Sequence, residues 1–495
     1  MLTLQQLESH LWGAADILRG KIDSSDYKHY IFGLLFFKRI CDVWEEEYEQ
    51  RLAQYNDKEI AASPDEHRFH IPEGAFWSDV RKRTTNIGEY LNAAFHAIED
   101  ANQRLQGIFQ DVDFNNKERF PDATLELLLE HFEKHRLRKC DVEPDVLGNA
   151  YEYLIAKFAD DAGKKGGEFY TPKMVVRLIV ECLQPENNMS IYDPTCGSGG
   201  MLLESIHYME RKGLNPRSVS LYGQEINLNT WAICKMNLFL HGIDDAEVLK
   251  GDTLRNPRHL QREGSKSIKR FDRVLANPPF SLKSWGKEVW DAGDPYSRDK
   301  YGCPPKSYGD LAFVQHMIAS LKPQGKLGVV LPHGILFRGG AEGRIREGIL
   351  GDDLIEAIIG LAPNLFYGTG IPASVLIINR DKPSGRKGKV LFIHGAEEMI
   401  PGKNQNSLSD ANVARLVEAY NAYEDEERFS RIVDLEEIKG NDWNLNIARY
   451  VDSTEPEEQI DVAEEYKKLK ELTAKRNEAE GKMEAYLKEL GYDRS

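Results

Sequence analysis

No apolar run in this 495-residue chain is long enough to span a bilayer. The longest, Tyr30 to Phe37, falls far short of the ~20 residues a membrane helix needs. The amino terminus lacks the basic-then-apolar pattern of a signal peptide, so a cytoplasmic location is expected. Cysteine is sparse. Cys41, Cys140, Cys182, Cys196, Cys234 and Cys303 are scattered, with no C-x-x-C pair and no histidine cluster beside them. That is the pattern of reduced, buried or incidental thiols, and it argues against a structural zinc. No G-x-x-x-x-G-K-[ST] occurs, which excludes ATP hydrolysis through a P-loop. Positive charge is in deficit as well. A net charge of −16 is awkward for a chain gripping nucleic-acid phosphates by itself. Either the basic residues gather on one face, or another subunit supplies most of the grip.

What remains is a soluble, globular composition, 41% hydrophobic and 29% charged, with length for about two to four domains. Residues 1–140 read as a helical domain. Leu4, Leu7, Leu11 and Leu18 recur near helical spacing, and Ile31, Leu34, Leu35 and Ile40 mark a more thoroughly buried helix. No catalytic-looking cluster stands out there. Two basic runs, Arg81-Lys82-Arg83 and Arg136-Leu137-Arg138-Lys139, read first as solvated faces and second as DNA contacts.

From Asp145 the pattern changes. Short runs rich in Val, Ile and Leu alternate with helical connectors: 190–193, 218–225, 247–251, 271–276, 326–331, 354–360 and 373–379. Such alternation predicts an α/β domain over 145–430 with a mainly parallel, doubly wound sheet. The last two runs lack an intervening helix, which predicts an antiparallel pair at that edge. Residues 431–495 read as a tail. Beyond Pro456, Ile460, Ala463, Tyr466, Leu469, Leu472, Arg476, Ala479, Met483, Tyr486 and Leu490 recur every three or four residues, and Gly491 follows as a stop. One apolar stripe on a charged helix predicts an intermolecular helix contact.

The chemistry concentrates at predicted strand ends. Asn277-Pro278-Pro279-Phe280 closes the run Phe271–Ala276. It offers a carboxamide, a stiff backbone carbonyl and an aromatic face, a set suited to holding a planar ring by its exocyclic amino group. Asp193 closes the first strand, and Gly197, Ser198, Gly199 and Gly200 turn the chain into a helix. Glycines there let backbone approach a ligand. Glu225 closes the second strand and can accept ribose hydroxyls. Asp252 closes the third, placed for an adenine amino group. Three acids around a glycine turn suit a nucleoside with an amino-acid tail and repel a diphosphate. Upstream, Glu168-Phe169-Tyr170-Thr171-Pro172-Lys173 precedes a helix expected near Met174, with Thr171 as candidate cap. This loop is read as folding over the methionine end of S-adenosylmethionine. The segment Ser281–Ser307, with Trp285, Trp290, Tyr296 and Tyr301, reads as a mobile loop beside the target pocket or an ordinary surface insertion.

In order, Glu-Phe-Tyr-Thr-Pro, Asp-Pro-x-x-Gly-Ser-Gly-Gly, Gly-Gln-Glu, Gly-Asp-Thr-Leu and Asn-Pro-Pro-Phe resemble the modification (M) subunits of type I restriction-modification systems. Tyr308–Phe313 and Leu331–Gly334 extend the likeness. The resemblance implies a class I, Rossmann-like methyltransferase fold, S-adenosylmethionine as methyl donor and adenine N6 in double-stranded DNA as acceptor. It implies a complex of two M with one specificity (S) subunit, which a restriction (R) subunit can join. Asn277 and the carbonyl of Pro278 would each accept an N6 hydrogen, and Phe280 would stack on a flipped base. Rival readings are methylation of cytosine N4, of glutamine amides or of RNA guanine, and a scaffold without turnover. Cytosine-N4 enzymes more often carry Ser in place of Asn277.

Overall fold

A computed structural model describes residues 1–19, 24–110, 112–162, 170–367, 369–403, 405–453 and 462–492. Glu168 and Phe169 therefore lie outside the described residues. The chain divides into a body, Met1–Asp452, and a separate unit, Ser453–Ser495.

The body begins with seven helices: α1 (Leu4–Leu18), α2 (Ser24–Tyr55), α3 (Lys58–Ala61), α4 (Trp77–Arg81), α5 (Ile87–Ala101), α6 (Asp122–Glu133) and α7 (Pro144–Ala162). Thr3 and Gln6 close a capping box that fixes the start of α1. Leu7, Leu11 and Leu18 face inward from it as their spacing predicts, with Ala14 beside them, whereas Leu4, expected on the same stripe, is exposed. The inward-facing residues meet Phe32, Phe36 and Phe37 of α2 and Tyr151, Leu154 and Phe158 of α7 in one core. Both basic runs are engaged by carboxylates. Arg81 pairs with Glu130 at 2.8 Å, Arg138 with Asp141 at 2.6 Å and Lys139 with Glu47 at 2.7 Å. Leu137 is buried. These pairings favour the solvated-face reading of the runs over DNA contact.

The rest of the body is built on one nine-stranded sheet in the order β3-β2-β1-β4-β5-β7-β6-β8-β9. The strands are β1 (Ser190–Asp193), β2 (Ser220–Glu225), β3 (Glu247–Lys250), β4 (Phe271–Ala276), β5 (Leu321–Pro332), β6 (Ile355–Leu361), β7 (Ala373–Asn379), β8 (Lys389–Gly395) and β9 (Ser430–Asp434). Strands β3 to β5 run parallel through β1, and β7 lies antiparallel between β5 and β6. The fold is α/β of the class I methyltransferase kind.

Two strand expectations need correction. The antiparallel pair is not at an edge, because β8 adds parallel to β6 and β9 closes the sheet antiparallel to β8. Every residue of β6 and β7 is buried, as befits strands covered on both faces. The boundary expected between residues 430 and 431 therefore falls inside β9, and the body runs on to Asp452.

Helices α8 (Lys173–Leu183), α9 (Gly200–Arg211), α10 (Leu228–Leu240) and α14 (Asp410–Ala422) flank the sheet, with α11 (Lys287–Asp291), α12 (Asp310–Ala319), α13 (Ala341–Gly351) and α15 (Leu435–Gly440) between and beyond them. Helix α10 joins the two cores. Its Ile233, Met236, Phe239 and Leu240 pack into the helical domain, while Trp231, Cys234 and Leu238 pack toward the sheet. A helix apolar all round is one that both sides bury. The segment 281–307 is not a bare mobile loop. Trp285 and Trp290 are buried with Leu254 and Phe313 in a small core of their own. Arg298, fully buried, pairs with Asp294 at 2.7 Å and donates to the carbonyl oxygens of Thr253 and Leu254.

The separate unit carries α16 (Val462–Glu489). No described helix of the chain is long and apolar enough to cross a membrane.

Candidate active site

Asp193 ends β1 and is 2% exposed. One carboxylate oxygen accepts the Thr195 N–H at 2.9 Å. Burial, with the Glu225 carboxylate adding to it, pushes the Asp193 carboxyl up to about 8. The turn that follows needs left-handed backbone at Gly197 (φ 53°) and Gly199 (φ 87°). A Cβ on Gly199 would stand 2.9 Å from the Cys234 sulfur, so only glycine lets α10 approach the turn. Asn237 of α10 donates to the Ser198 carbonyl at 3.0 Å and steadies the turn from behind.

Glu225 ends β2 with both carboxylate oxygens engaged by backbone. They accept the Gly197 N–H at 3.0 Å and the Asn227 N–H at 2.8 Å. Burial raises its carboxyl above the usual range. Asp252, after β3, accepts the N–H groups of Leu254 at 2.9 Å and Arg255 at 3.0 Å and pairs with the Arg255 guanidinium at 2.9 Å. Both acids shape their loops while keeping unused lone pairs on their oxygens.

Asn277 follows β4. Its amide nitrogen donates to Thr171 Oγ1 at 3.0 Å, and its Oδ1 is buried with no hydrogen-bond partner. An unsatisfied buried acceptor costs about 1–3 kcal/mol until another group completes it, and Asn277 Oδ1 is one of several such atoms among the described residues. The contact also corrects the expected role of Thr171. Helix α8 begins at Lys173 behind Pro172, without a side-chain cap, because the Thr171 hydroxyl faces Asn277 instead. Pro278 is buried, Pro279 exposed, and Phe280 meets the Phe366 ring edge-on at 5.7 Å. Just beyond, the Ser281 N–H donates to Asp310 Oδ1 at 2.8 Å, while Asp310 Oδ2 is another buried atom without a partner.

A cavity of about 420 Å³ joins these parts. Tyr170, Thr171, Lys173, Asp193, Gly197, Ser198, Gly200 and Asn277 line it, so the upstream loop, the glycine turn and the first residue of Asn-Pro-Pro-Phe share one space. Pro172, Gly199, Glu225, Asp252, Pro278, Pro279 and Phe280 are not in its wall.

A family model described as N-6 DNA Methylase matches residues 142–459, and one described as HsdM N-terminal domain matches residues 7–132. The chain belongs to the N-6 DNA methylase family. Within it, this methylase falls among the type I restriction-modification methylase subunits. It is 35% identical to the type I restriction enzyme MjaVII methylase subunit of Methanocaldococcus jannaschii, over 96% of this chain and 83% of that one. To the HindI methylase subunit of Haemophilus influenzae it is 34% identical, over 83% and 94%. The crystal structure of the type I restriction-modification system methyltransferase subunit from Streptococcus thermophilus superposes with a TM-score of 0.81 at 34% identity, covering 91% of this chain and all of that one.

The methylase also places residues at the cavity that motif reading passed over. Leu4 and Glu8 of α1, and Asn149, Glu152 and Tyr153 of α7, form its outer wall. The helical domain is therefore part of the cavity wall, although no catalytic-looking cluster stands out in the sequence of residues 1–140. Glu152 and Lys173 pair across this wall at 3.4 Å. On the Phe280 side, Phe366 and Tyr367 precede β7, and the Tyr367 ring lies 5.8 Å from that of Tyr170.

Proposed function

We propose that this methylase transfers a methyl group from S-adenosylmethionine to N6 of an adenine flipped out of double-stranded DNA. It acts as the M subunit of a cytoplasmic complex whose S subunit reads the sequence. The observation that carries the reading is the unpartnered Asn277 Oδ1 in a residue that lines the same cavity as Asp193 and the glycine turn.

The residues present fit the cofactor. A buried acid with a raised carboxyl, Asp193, gains from a neighbouring cation. Thr195 Oγ1 is buried without a partner beside it. Lys173 suits a carboxylate, and the turn at Gly197–Gly200 leaves backbone open to the cavity. Glu225 and Asp252 are proposed to reach the ribose and adenine beyond the cavity described above. When bound, S-adenosylmethionine supplies a methyl already activated on a sulfonium sulfur. Asn277 Oδ1 and the Pro278 carbonyl accept the two N6 hydrogens and turn the nitrogen lone pair out of the ring plane. Phe280 offers its face to the base, and Pro279 keeps the loop stiff. Catalysis is then positioning plus fixed dipoles.

The test is a tritiated methyl donor with duplex DNA and a cognate S subunit. Label is expected in N6-methyladenine. Label in N4-methylcytosine or in protein alone would overturn the substrate, and absence of transfer with donor bound would favour a scaffold.

The partners proposed are the S subunit, a second M in a complex of two M with one S, and an R subunit that can join. The exposed stripe Tyr466, Leu469, Leu472, Met483, Tyr486 and Leu490 on α16 suits a helical partner surface. Truncation after Pro456 is expected to reduce co-purification with S at least fivefold, an order-of-magnitude figure for losing one helix contact, and to shift Tm little. Full recovery of S with the truncated chain would remove α16 from the assembly.

A further inference from the structure

We propose that Glu8 of α1 and Glu152 of α7 tilt the cofactor cavity toward the charged methyl donor and away from its spent product. The inference rests on the reading of this cavity as the S-adenosylmethionine site, and it assigns the helical domain a share in selecting that ligand.

Among the described residues, the wall of the cavity carries four acidic side chains, Glu8, Glu152, Asp193 and Glu204, against one ammonium, Lys173. They are not equally compensated. Glu204 is held by Arg211 at 2.7 Å, with His207 at 3.8 Å. Glu152 shares Lys173 at 3.4 Å. Glu8, half-buried, makes no hydrogen bond or ion pair among the described residues. Asp193 has, among the described residues, only the Thr195 N–H. Among the described residues the wall therefore holds one carboxylate without a counter-charge, Glu8, and a buried Asp193 that a neighbouring cation would ionise, together with glycine-turn backbone and an unpartnered Asn277 oxygen in residues of the same wall. Such a cavity suits a ligand with positive charge.

Methyl transfer changes that charge at one atom. The carbon–sulfur bond of the sulfonium breaks with its electron pair left on sulfur, and the carbon bonds to N6, which then releases a proton to solvent. The ligand that stays behind has a neutral thioether where the donor had a cation. Its ammonium, carboxylate, ribose and adenine are unchanged. A carboxylate that acts only on the amino-acid tail affects donor and product alike. One whose field reaches the sulfur favours the donor. Charge pairs in a partly screened site still interact by more than thermal energy across several ångströms, so the one net acid that Glu8 and Glu152 leave beside Lys173 is enough to tilt the balance and ease product release.

The experiment is equilibrium binding of S-adenosylmethionine and S-adenosylhomocysteine, without DNA, to the full chain. Glu8→Gln and Glu152→Gln are each expected to weaken S-adenosylmethionine roughly three- to tenfold and S-adenosylhomocysteine less than about twofold. Added salt is expected to narrow the wild-type difference. Glu152→Asp, which keeps the charge, should retain the wild-type ratio and guards against a mere packing effect. An equal loss for both ligands, or no change for either, would overturn the inference while leaving the cofactor reading intact. If the wild-type chain binds neither ligand, the functional reading itself fails and takes the inference with it.

Discussion

Asn277→Ala is expected to lower methyl transfer roughly 100- to 1,000-fold or more, the range seen when one fixed polar partner of a reacting group is lost. The reason is an asymmetry between the two ends of the carboxamide. Its nitrogen is already engaged by Thr171 at 3.0 Å, whereas Oδ1 has no partner. The amide is thus oriented by the upstream loop, with its acceptor end spare. Alanine removes both the acceptor and the anchor of Thr171. Thr171→Val removes only the anchor and leaves Oδ1 in place, so its effect is expected to be far smaller and to fall on cofactor KM more than on kcat. Asn277→Asp keeps an acceptor oxygen that the Thr171 hydroxyl can still orient, and it should retain more turnover than alanine. Single-turnover rates with saturating donor separate the three. An Asn277→Ala rate equal to that of Thr171→Val would mean that the oxygen plays no part in holding the substrate.

The sheet was legible at β1 to β7, each an apolar run ending in turn chemistry, but β8 was passed over although its Val390-Leu391-Phe392-Ile393 run is just as apolar and buried. The bounds of β1, β4 and β7 coincide with the sequence reading. They do so because Asp193-Pro194, Asn277-Pro278 and Asn379 break the pattern sharply. Strand β9, Ser-Arg-Ile-Val-Asp, gave no such signal, since an edge strand needs only one or two buried side chains. Losing it hid the true end of the body. The glycine turn and Asn-Pro-Pro-Phe were legible because their residue types are dictated by backbone approach and by hydrogen-bond geometry. Glu8 and Glu152 were not. Each is an ordinary charged residue on an amphipathic helix, and nothing local distinguishes it from a solvated one. They reach the cavity because α10, buried by both cores, packs on α7, which in turn holds α1. Trp285 and Trp290 misled for the converse reason. Glycines and charges around them suggest mobility, but two indoles 5.4 Å apart make a packing unit by themselves.

Asp193→Asn is expected to stabilise the cofactor-free chain and to cripple cofactor binding, two effects of opposite sign from one buried carboxyl. The group titrates at about 8 in the folded chain against an ordinary 3.8, because burial disfavours its charged form. Between those values the folded state holds a proton that the unfolded state has released, so its contribution to stability is present below the unfolded value and lost as pH rises toward 8. Asparagine carries no such liability. The variant's Tm should match the wild type near pH 4 and exceed it by several degrees, to order of magnitude, at pH 8. Cofactor binding runs the other way. A cation beside Asp193 restores the ionised carboxylate, and removing one partner of a buried charge pair costs about 2–5 kcal/mol, so donor affinity should drop roughly 30-fold or more. The same coupling predicts proton release. At pH 7 the Asp193 carboxyl of the donor-free chain is largely protonated, and calorimetry in two buffers of different ionisation heat should show up to one proton expelled per donor bound. In Asp193→Asn the release should shrink to whatever Glu225, also raised by burial, supplies. A variant that releases as many protons as the wild type would show that the ligand's positive charge does not sit against Asp193. A variant less stable than the wild type at every pH would show that the carboxyl is a structural hydrogen-bonding group first and a ligand-binding group second.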